Sequence, residues 1–355
     1  MEGSRGPLSA SSRPLYVAGP CSAESEQQVL ATARAVAGLG VGIFRAGLWK
    51  PRTHPGRFEG VGAEGLPWLR RVKEETGLAV CTEVAGAGHV EACLKAGVDL
   101  VWIGARTTAN PFLVQEIADA LAGTGLPVLV KNPVSPEIGL WAGALERLSR
   151  AGVGPMGLVH RGFSASSPGP WRNAPGWAVA IEMRTRFPQL LFLADPSHMA
   201  GDRKYVQEIA QRALDLGFDG LMLECHCCPE KALSDAPQQL SPEGLRGLLE
   251  SLKVRTSHSD DEEFQRGMEA FRARIDEIDG NLLQLLRQRM DVSRSIGLYK
   301  KKHNVAIVQA GRWEQLLSGM LEQAAALGLS EQTVRTIMTA IHEESVRVQE
   351  PDEER

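Results

Sequence analysis

Leu190-Leu-Phe-Leu-Ala194 and Gly220-Leu-Met-Leu223 are two short apolar runs, each bounded by turn residues and each ending in potential metal ligands. Such a run reads as a strand buried on both faces of a parallel sheet, and what stands at its carboxyl end faces a site rather than a core. The first leads through Asp195-Pro196-Ser197 to His198, and the second directly to Glu224. Asp235 follows in the loop Lys231-Ala-Leu-Ser-Asp235, and far upstream Leu15-Tyr-Val-Ala-Gly19 is a similar strand that ends in Pro20-Cys21. One thiolate, one imidazole and two carboxylates on separate segments make a four-ligand site for a divalent transition metal. A lone buried cysteine is more often core than ligand, so the four together carry the reading.

Outward from this stretch the chain repeats one unit, an apolar strand followed by an amphipathic helix. Strands read as 15–21, 42–48, 78–84, 100–105, 127–131, 156–160, 190–194 and 220–224, with helices between them such as 26–37, 111–122 and 203–216. Ser135-Pro136-Glu137 and Ser241-Pro242-Glu243 each place a cap, a first-turn proline and an acid where a helix should begin. Eight such pairs favour a closed α/β barrel, (β/α)8, over an open doubly wound sheet, and put catalytic groups at the carboxyl ends of the strands. Those ends hold Cys21, Arg45 with Lys50 and Arg52 close behind, Glu83, Arg106, Lys131, Arg161, Asp195 with His198, and Glu224. A ring of arginine and lysine is costly to bury unless anions occupy it. The planar guanidinium fork suits phosphate, so the pocket is expected to bind phosphate as well as metal.

The chain of 355 residues is 43% hydrophobic and 23% charged, enough for one large domain and a smaller one. Its net charge of −4 gives no reason to expect nucleic acid or an anionic membrane as partner. Residues 1–14 are rich in Ser, Gly, Arg and Pro and read as a disordered tail rather than a signal peptide, and no apolar run approaches a membrane span. Six cysteines are too few for a disulfide scaffold, which points to a reducing cytoplasm.

Here the motifs become recognisable. Gly19-Pro-Cys-Ser22, Lys50-Pro-Arg-Thr53, Ile103-Gly-Ala-Arg106, Asp195-Pro-Ser-His198 and Ala232-Leu-Ser-Asp235 closely resemble the 3-deoxy-D-arabino-heptulosonate 7-phosphate (DAHP) synthases of the type Iβ group, over residues 15–253. The resemblance implies a metal-dependent barrel that condenses phosphoenolpyruvate with erythrose 4-phosphate. It makes Cys21, His198, Glu224 and Asp235 the ligands of a divalent ion such as Mn, Co or Fe. It assigns phosphoenolpyruvate to Arg106, Lys131 and Arg161, assisted by Arg45 and Lys50, and the phosphate of erythrose 4-phosphate to Arg52 and Thr53. Lys50 is a candidate for protonating the new alkoxide, with an anion contact as the equal alternative. Cys225-His-Cys-Cys228 and Lys131-Asn132-Pro133 depart from the family pattern. The former raises a second soft-metal or redox site, although alternation along the strand turns Cys225 toward the helices. The Ser-, Pro- and Gly-rich loop 163–176 has the length of a mobile lid.

From Lys253 the composition changes. Residues 254–263, including Ser257-His-Ser-Asp-Asp-Glu-Glu263, read as a linker. Phe264, Met268, Phe271, Ile275, Ile278, Leu282 and Leu285 then recur at helical spacing, predicting one helix to about Lys302, with two more at 311–326 and 330–348. A helix so long with two short companions cannot cover its own apolar face, so it is expected to pair with a second copy, at least a dimer. Arg289 and Lys300 share a face of it, about 20° from eclipsed at 3.6 residues per turn, while Arg272 points elsewhere. Arg272, Arg289, Lys300, Arg312, Ser345 and Gln349 resemble, in unbroken spacing, the functional positions of the all-helical chorismate mutases, over residues 264–350. The resemblance implies that Arg272 and Arg289 hold carboxylates of chorismate, Arg272 from the partner chain. Lys300 and Gln349 would donate to the ether oxygen, with Arg312 and Ser345 completing the pocket. Gln309 and Trp313 depart from the family's acidic residues. Residues 351–355 read as a tail.

The expectation is a bifunctional enzyme of aromatic biosynthesis. The alternatives are 3-deoxy-octulosonate 8-phosphate synthase activity, which Lys50-Pro-Arg-Thr53 argues against, and a helical domain that only senses chorismate or prephenate. Prephenate bound at Arg289 and Lys300 is the expected feedback ligand.

Overall fold

A computed structural model describes residues 8, 14–50, 56, 58–164, 170–256, 259–308 and 310–349. The chain divides into two compact units, Met1–Ser257 and His258–Arg355. The sites expected at Arg52 and Thr53, the departure at Gln309, the tip of the 163–176 loop and both terminal tails (residues 8 and 14 apart) lie outside the described residues.

Eight parallel strands close a barrel in chain order: Leu15–Gly19, Ile43–Arg45, Ala79–Val84, Leu100–Ile103, Val128–Lys131, Met156–His160, Leu191–Ala194 and Gly220–Glu224. The last pairs with the first in the register Leu15↔Gly220 to Gly19↔Glu224, which puts Glu224 beside the turn that leads to Cys21. At Gly220 a Cβ would lie 2.0 Å from the Leu15 carbonyl, so only a bare backbone fits this seam. Alternation fills the two sides. Val17, Ile43, Cys81, Leu100, Trp102, Leu129, Val159, Leu193 and Met222 plug the bore, while Ala18, Phe44, Val80, Val101, Val130, Leu158, Phe192 and Leu221 face the helices. Each large aliphatic side chain so buried contributes about 1.5–3 kcal/mol relative to exposure.

Helices begin where caps satisfy their first amides. Ser25 accepts from Gln28 N, Asn110 from Phe112 N and Leu113 N, and Ser241 from Gly244 N. The Ser135-Pro136-Glu137 cap is a correction: that helix is Ile138–Arg150, with Glu137 at its N-cap and no side-chain cap bond. The apolar face that Trp141, Leu145 and Leu148 bury starts only at Ile138. The stretch 203–216 splits into a 3₁₀ turn Arg203–Tyr205 and a helix Val206–Asp215.

His160, at the end of the sixth strand, is buried among Trp141, Phe163, Trp177 and Phe218 with its Nε2 against the Pro175 carbonyl. Burial pushes its pKa down from 6.5 to about 4. A depressed basic group contributes stability that is present above the unfolded value and is lost as pH falls toward the folded one. The expected loss between pH 7 and pH 4 is about 3 kcal/mol from this group. Urea unfolding at both pH values, in the wild type and in His160→Phe, checks it. An identical loss in the two proteins would assign acid sensitivity elsewhere.

The second unit is three helices, Glu262–Lys302, Ala310–Ala326 and Glu331–Arg347. Asp261 caps the first through Glu263 N and Phe264 N, and Ser330 caps the third through Thr333 N. Along the first, 41 residues long, only Ser293 and Gly297 are buried. Phe271, Ile275, Ile278, Leu282 and Leu285 remain 45 to 69% exposed, a continuous apolar stripe.

Candidate metal and anion site

Cys21, His198, Glu224 and Asp235 each offer a ligand atom, and these atoms all lie within 4.8 Å of one another. The strands bring them together: Cys21 follows the first, Glu224 ends the eighth, and His198 sits in the short helix Pro196–Ala200 after the seventh. Asp235 arrives from a loop in a left-handed conformation, φ 48° and ψ 35°, a strain of order 1–3 kcal/mol for a non-glycine residue. Its Oδ2 is 3.3 Å from Cys21 Sγ, and His198 Nε2 is 3.6 Å from Glu224 Oε1.

A second layer holds these groups. Asp195 caps the short helix by accepting from His198 N, and its Oδ2 lies 2.8 Å from His198 Nδ1 and 2.7 Å from Lys131 Nζ. Gln238 donates to Glu224 Oε2 at 2.7 Å, Gln239 accepts from Cys21 N at 3.1 Å, and Arg172 donates to Asp235 Oδ1 at 2.9 Å. Such outer contacts fix orientation and tune donor strength.

Electrostatics follow from burial against charge. Burial, with Glu224 adding to it, pushes the Cys21 thiol up to about 12, while Lys50 Nζ at 3.2 Å opposes the shift. Burial would raise the Asp235 carboxyl too, but His198, Arg172 and Lys50 together hold it well below the carboxylate range. Burial lowers His198 despite Asp195 and Glu224, and the neutral form of an imidazole is the one that ligates a metal.

Cations line the same rim. Arg45 is fully buried, paired with Glu224 at 3.1 Å and lying 4.9 Å over the Trp102 ring, and its Nε and Nη1 have no hydrogen-bond partner among the described residues. Lys131 is 5.7 Å over the same ring. Burial lowers Arg161 to about 10, and the charge of Arg106, exposed on the short helix Ala105–Thr108, adds to that shift. The unpartnered buried donors of Arg45 call for an anion or another acceptor.

Several residues here escaped sequence reasoning. Asp195 has no ligand or anion role in the sequence pattern, although Asp-Pro-Ser-His carries a capping pattern that foretells its contact with His198 N. Arg172 and Asn173 had no signal, because they lie in a loop without periodicity. Asn132, in the Lys131-Asn132-Pro133 departure, accepts from Arg161 N at 2.6 Å and donates to the Pro133 and Gly162 carbonyls at 2.8 Å, so it builds the turn that carries Arg161. The second soft-metal site at Cys225–Cys228 does not form. Cys225 is buried in the helix-facing core, and His226 Nδ1 accepts from Cys228 N, while His226 Nε2 lies 3.5 Å from Glu24 without a hydrogen-bond partner among the described residues. Among the described residues the one close group of ligand types is that of Cys21.

In the helical unit Arg289 donates to Ser345 Oγ and, at 3.4 Å, to the Ile341 carbonyl. Gln349 donates to the Ser345 carbonyl at 2.9 Å and packs on Gly297, where a Cβ would meet the Gln349 backbone at 2.7 Å. Lys300, one turn on, donates to the Ile307 carbonyl at 2.5 Å. Arg289, Ser345 and Gln349 are thus gathered with Lys300 nearby, whereas Arg272 and Arg312 are exposed and make no hydrogen bond or ion pair among the described residues. Trp313, the other departure, stacks on His342 with ring centroids 4.1 Å apart.

The family model described as "DAHP synthetase I family" matches residues 9–260, and that described as "Chorismate mutase type II" matches residues 271–350. Over 238 residues the chain is 33% identical to a phospho-2-dehydro-3-deoxyheptonate aldolase of Thermotoga maritima, covering 67% of this chain and 68% of that protein. A 2-dehydro-3-deoxyphosphooctonate aldolase of Nitratidesulfovibrio vulgaris is 31% identical over 258 residues, 68% of this chain and 92% of the relative. The crystal structure of the Thermotoga maritima DAHP synthase superposes with a TM-score of 0.61 at 30% identity, covering 68% of this chain and 72% of that one.

Proposed function

This chain belongs to the DAHP synthetase I family, with a chorismate mutase type II domain after the barrel, and we infer that it is a bifunctional enzyme of aromatic amino acid biosynthesis. The barrel condenses phosphoenolpyruvate with erythrose 4-phosphate to DAHP, and the helical unit rearranges chorismate to prephenate. The observation that carries the reading is the shared rim, where four ligand-type groups stand beside Arg45, Lys50, Lys131 and Arg161.

The donor set of Cys21, His198, Glu224 and Asp235 fits a divalent transition ion such as Mn, Co or Fe, which when bound supplies Lewis-acid polarisation of the aldehyde oxygen. Lys131, Arg161 and Arg106 hold the phosphate and carboxylate of phosphoenolpyruvate, with the free donors of Arg45 beneath them. Lys50, with its Nζ 3.2 Å from Cys21 Sγ, either delivers a proton to the alkoxide oxygen formed when C3 of phosphoenolpyruvate joins the aldehyde carbon or serves as an anion contact. Water then adds at C2 and phosphate leaves. Arg52 and Thr53 take the phosphate of erythrose 4-phosphate.

In the helical unit no acid, base or nucleophile is needed. Arg289 holds a carboxylate while Lys300 and Gln349 stabilise charge on the breaking ether oxygen, and Arg312 and Ser345 complete the pocket. The exposed stripe from Phe271 to Leu285 supports a homodimer whose partner chain supplies Arg272. Six free cysteines, one of them a ligand candidate, fit a reducing cytoplasm. Prephenate held at Arg289 and Lys300 is the feedback ligand, acting on the barrel through its different affinity for two states.

One assay set tests the reading: the whole chain with erythrose 4-phosphate or arabinose 5-phosphate, with chorismate, and with prephenate added to the condensation. Turnover of erythrose 4-phosphate and chorismate, with arabinose 5-phosphate slower by on the order of 10²-fold, is expected. A preference for arabinose 5-phosphate would make the barrel an octulosonate synthase. Equal prephenate inhibition in the wild type and in Arg289→Ala would place the feedback site elsewhere.

A further inference from the structure

Residues 170–176, the limb that leads into the helix Trp177–Arg186, touch both halves of the site. That limb is pinned. Phe163–Ser164 pairs antiparallel with Asn173–Ala174, and Arg172 N donates to the Ala200 carbonyl at 3.1 Å. Gly201, at φ 70°, permits the approach, since a Cβ there would come within 2.4 Å of Arg172 Cβ.

Two adjacent side chains use this placement. Asn173 is buried, and its amide spends both ends: Oδ1 accepts from Arg161 Nη1 at 2.9 Å, and Nδ2 donates to the His198 carbonyl at 2.7 Å. Arg172 donates to Asp235 Oδ1 at 2.9 Å and to Gln238 Oε1 at 3.1 Å, and Gln238 in turn holds Glu224. Neither residue belongs to the ligand cluster or the set of rim cations named above, yet between them they contact Arg161 on one side and two of the four ligand-bearing segments on the other, with Glu224 reached through Gln238.

We propose that Asn173 is a positioning residue through which the anion pocket at Arg161 and the metal-ligand cluster at His198 sense each other, so that phosphoenolpyruvate and the divalent ion bind cooperatively. This rests on the reading of the barrel given above. The amide is planar, so a movement of Arg161 as it grips an anion carries Oδ1, and with it Nδ2 and the His198 backbone. A buried amide that lost either bond would leave a group unsatisfied, so both contacts persist or break together. Arg172 anchors the limb by its grip on Asp235. Linkage makes the coupling reciprocal: each ligand tightens the other by the same factor.

The test titrates Co²⁺ into the metal-free intact chain, followed by thiolate-to-cobalt absorption, with and without phosphoenolpyruvate. Phosphoenolpyruvate binding is measured by calorimetry with and without Co²⁺. In the wild type each ligand should tighten the other by at least about fivefold. In Asn173→Ala and Asn173→Leu the factor should fall to one, with Co²⁺ affinity down roughly 10- to 100-fold. A lost residue of purely structural importance would weaken both affinities but leave their ratio unchanged. Wild-type protein that binds neither ligand refutes the function of the barrel itself. Wild-type protein that binds both without coupling, or a variant that keeps the full factor, overturns the role of Asn173. Hydrogen exchange in the wild type gives a second measure that needs no variant. Phosphoenolpyruvate added to the metal-free chain should slow exchange across residues 198–201, and unchanged exchange there overturns the proposal.

Discussion

Stripping divalent metal from the whole chain with a chelator stops condensation and leaves the rearrangement of chorismate at its full rate; that is the expected result. The reason is the separation of chemistries. The ligand-type residues all lie in the unit Met1–Ser257, whereas Arg289, Lys300, Ser345 and Gln349 lie in His258–Arg355. A pericyclic shift needs only a held conformer and placed donors, so nothing in the helical unit calls for an ion. Condensation should fall by on the order of 10²–10³-fold or more and return when Mn²⁺ or Co²⁺ is added back. Cys21→Ala should behave as the chelated protein does, with no return on adding metal, because the remaining imidazole and carboxylates lose the one soft donor and Lys50 loses its 3.2 Å partner. Rates of both reactions on one preparation are the measurement. Undiminished condensation in metal-free protein would end the metal hypothesis.

Arg272→Ala and Arg289→Ala should each lower mutase turnover by on the order of 10²–10³-fold, and a mixture of the two, unfolded and reassembled together, should regain about a quarter of wild-type activity. Within one chain Arg289 is gathered with Ser345 and Gln349 while Arg272 stands exposed on the same helix with no hydrogen-bond or ion-pair partner among the described residues. The apolar stripe between them is the natural seam for a second helix of the same kind. If sites are built across that seam, a mixed dimer holds one intact site and one doubly defective site, and random pairing makes half the dimers mixed. Neither variant alone can do this. Mixtures as inactive as their components would show that Arg272 serves its own chain or none.

The barrel was legible because a parallel strand buried on both faces is a plain apolar run, and eight such runs separated by helical periodicity leave few other folds. The ligand cluster was legible for the same reason: once strand ends are located, Cys21, His198 and Glu224 must share one rim, and the closing pair of strands brings Gly19 beside Glu224. What periodicity cannot show is which loop atoms meet. Arg172 and Asn173 lie in a stretch without pattern, and their partners Asp235 and His198 are distant in sequence. The false cap at Ser135 shows the opposite weakness, where a local pattern was sound but the burial that starts the helix began later, at Ile138. The cysteines after Glu224 looked like ligands because sequence records donors and not what already occupies them. His226 Nδ1 is taken by Cys228 N, and Cys225 is buried toward the helices.

The seam between the first and last strands also sets when the protein can become an enzyme. Cys21 and Asp235 touch across 214 residues of chain. A polypeptide emerging from the ribosome exposes its thiol early and must wait for nearly the whole barrel before the imidazole and carboxylates arrive. Contacts of such long sequence separation are slow to form because loop closure precedes any reward. An ion held by these four groups would be captured last and would join the two ends of the circle. A chain truncated before Gly220 keeps Cys21 and His198 but loses both carboxylates, Glu224 and Asp235. A chain stalled short of Glu224 would lack the carboxylates that such an ion needs.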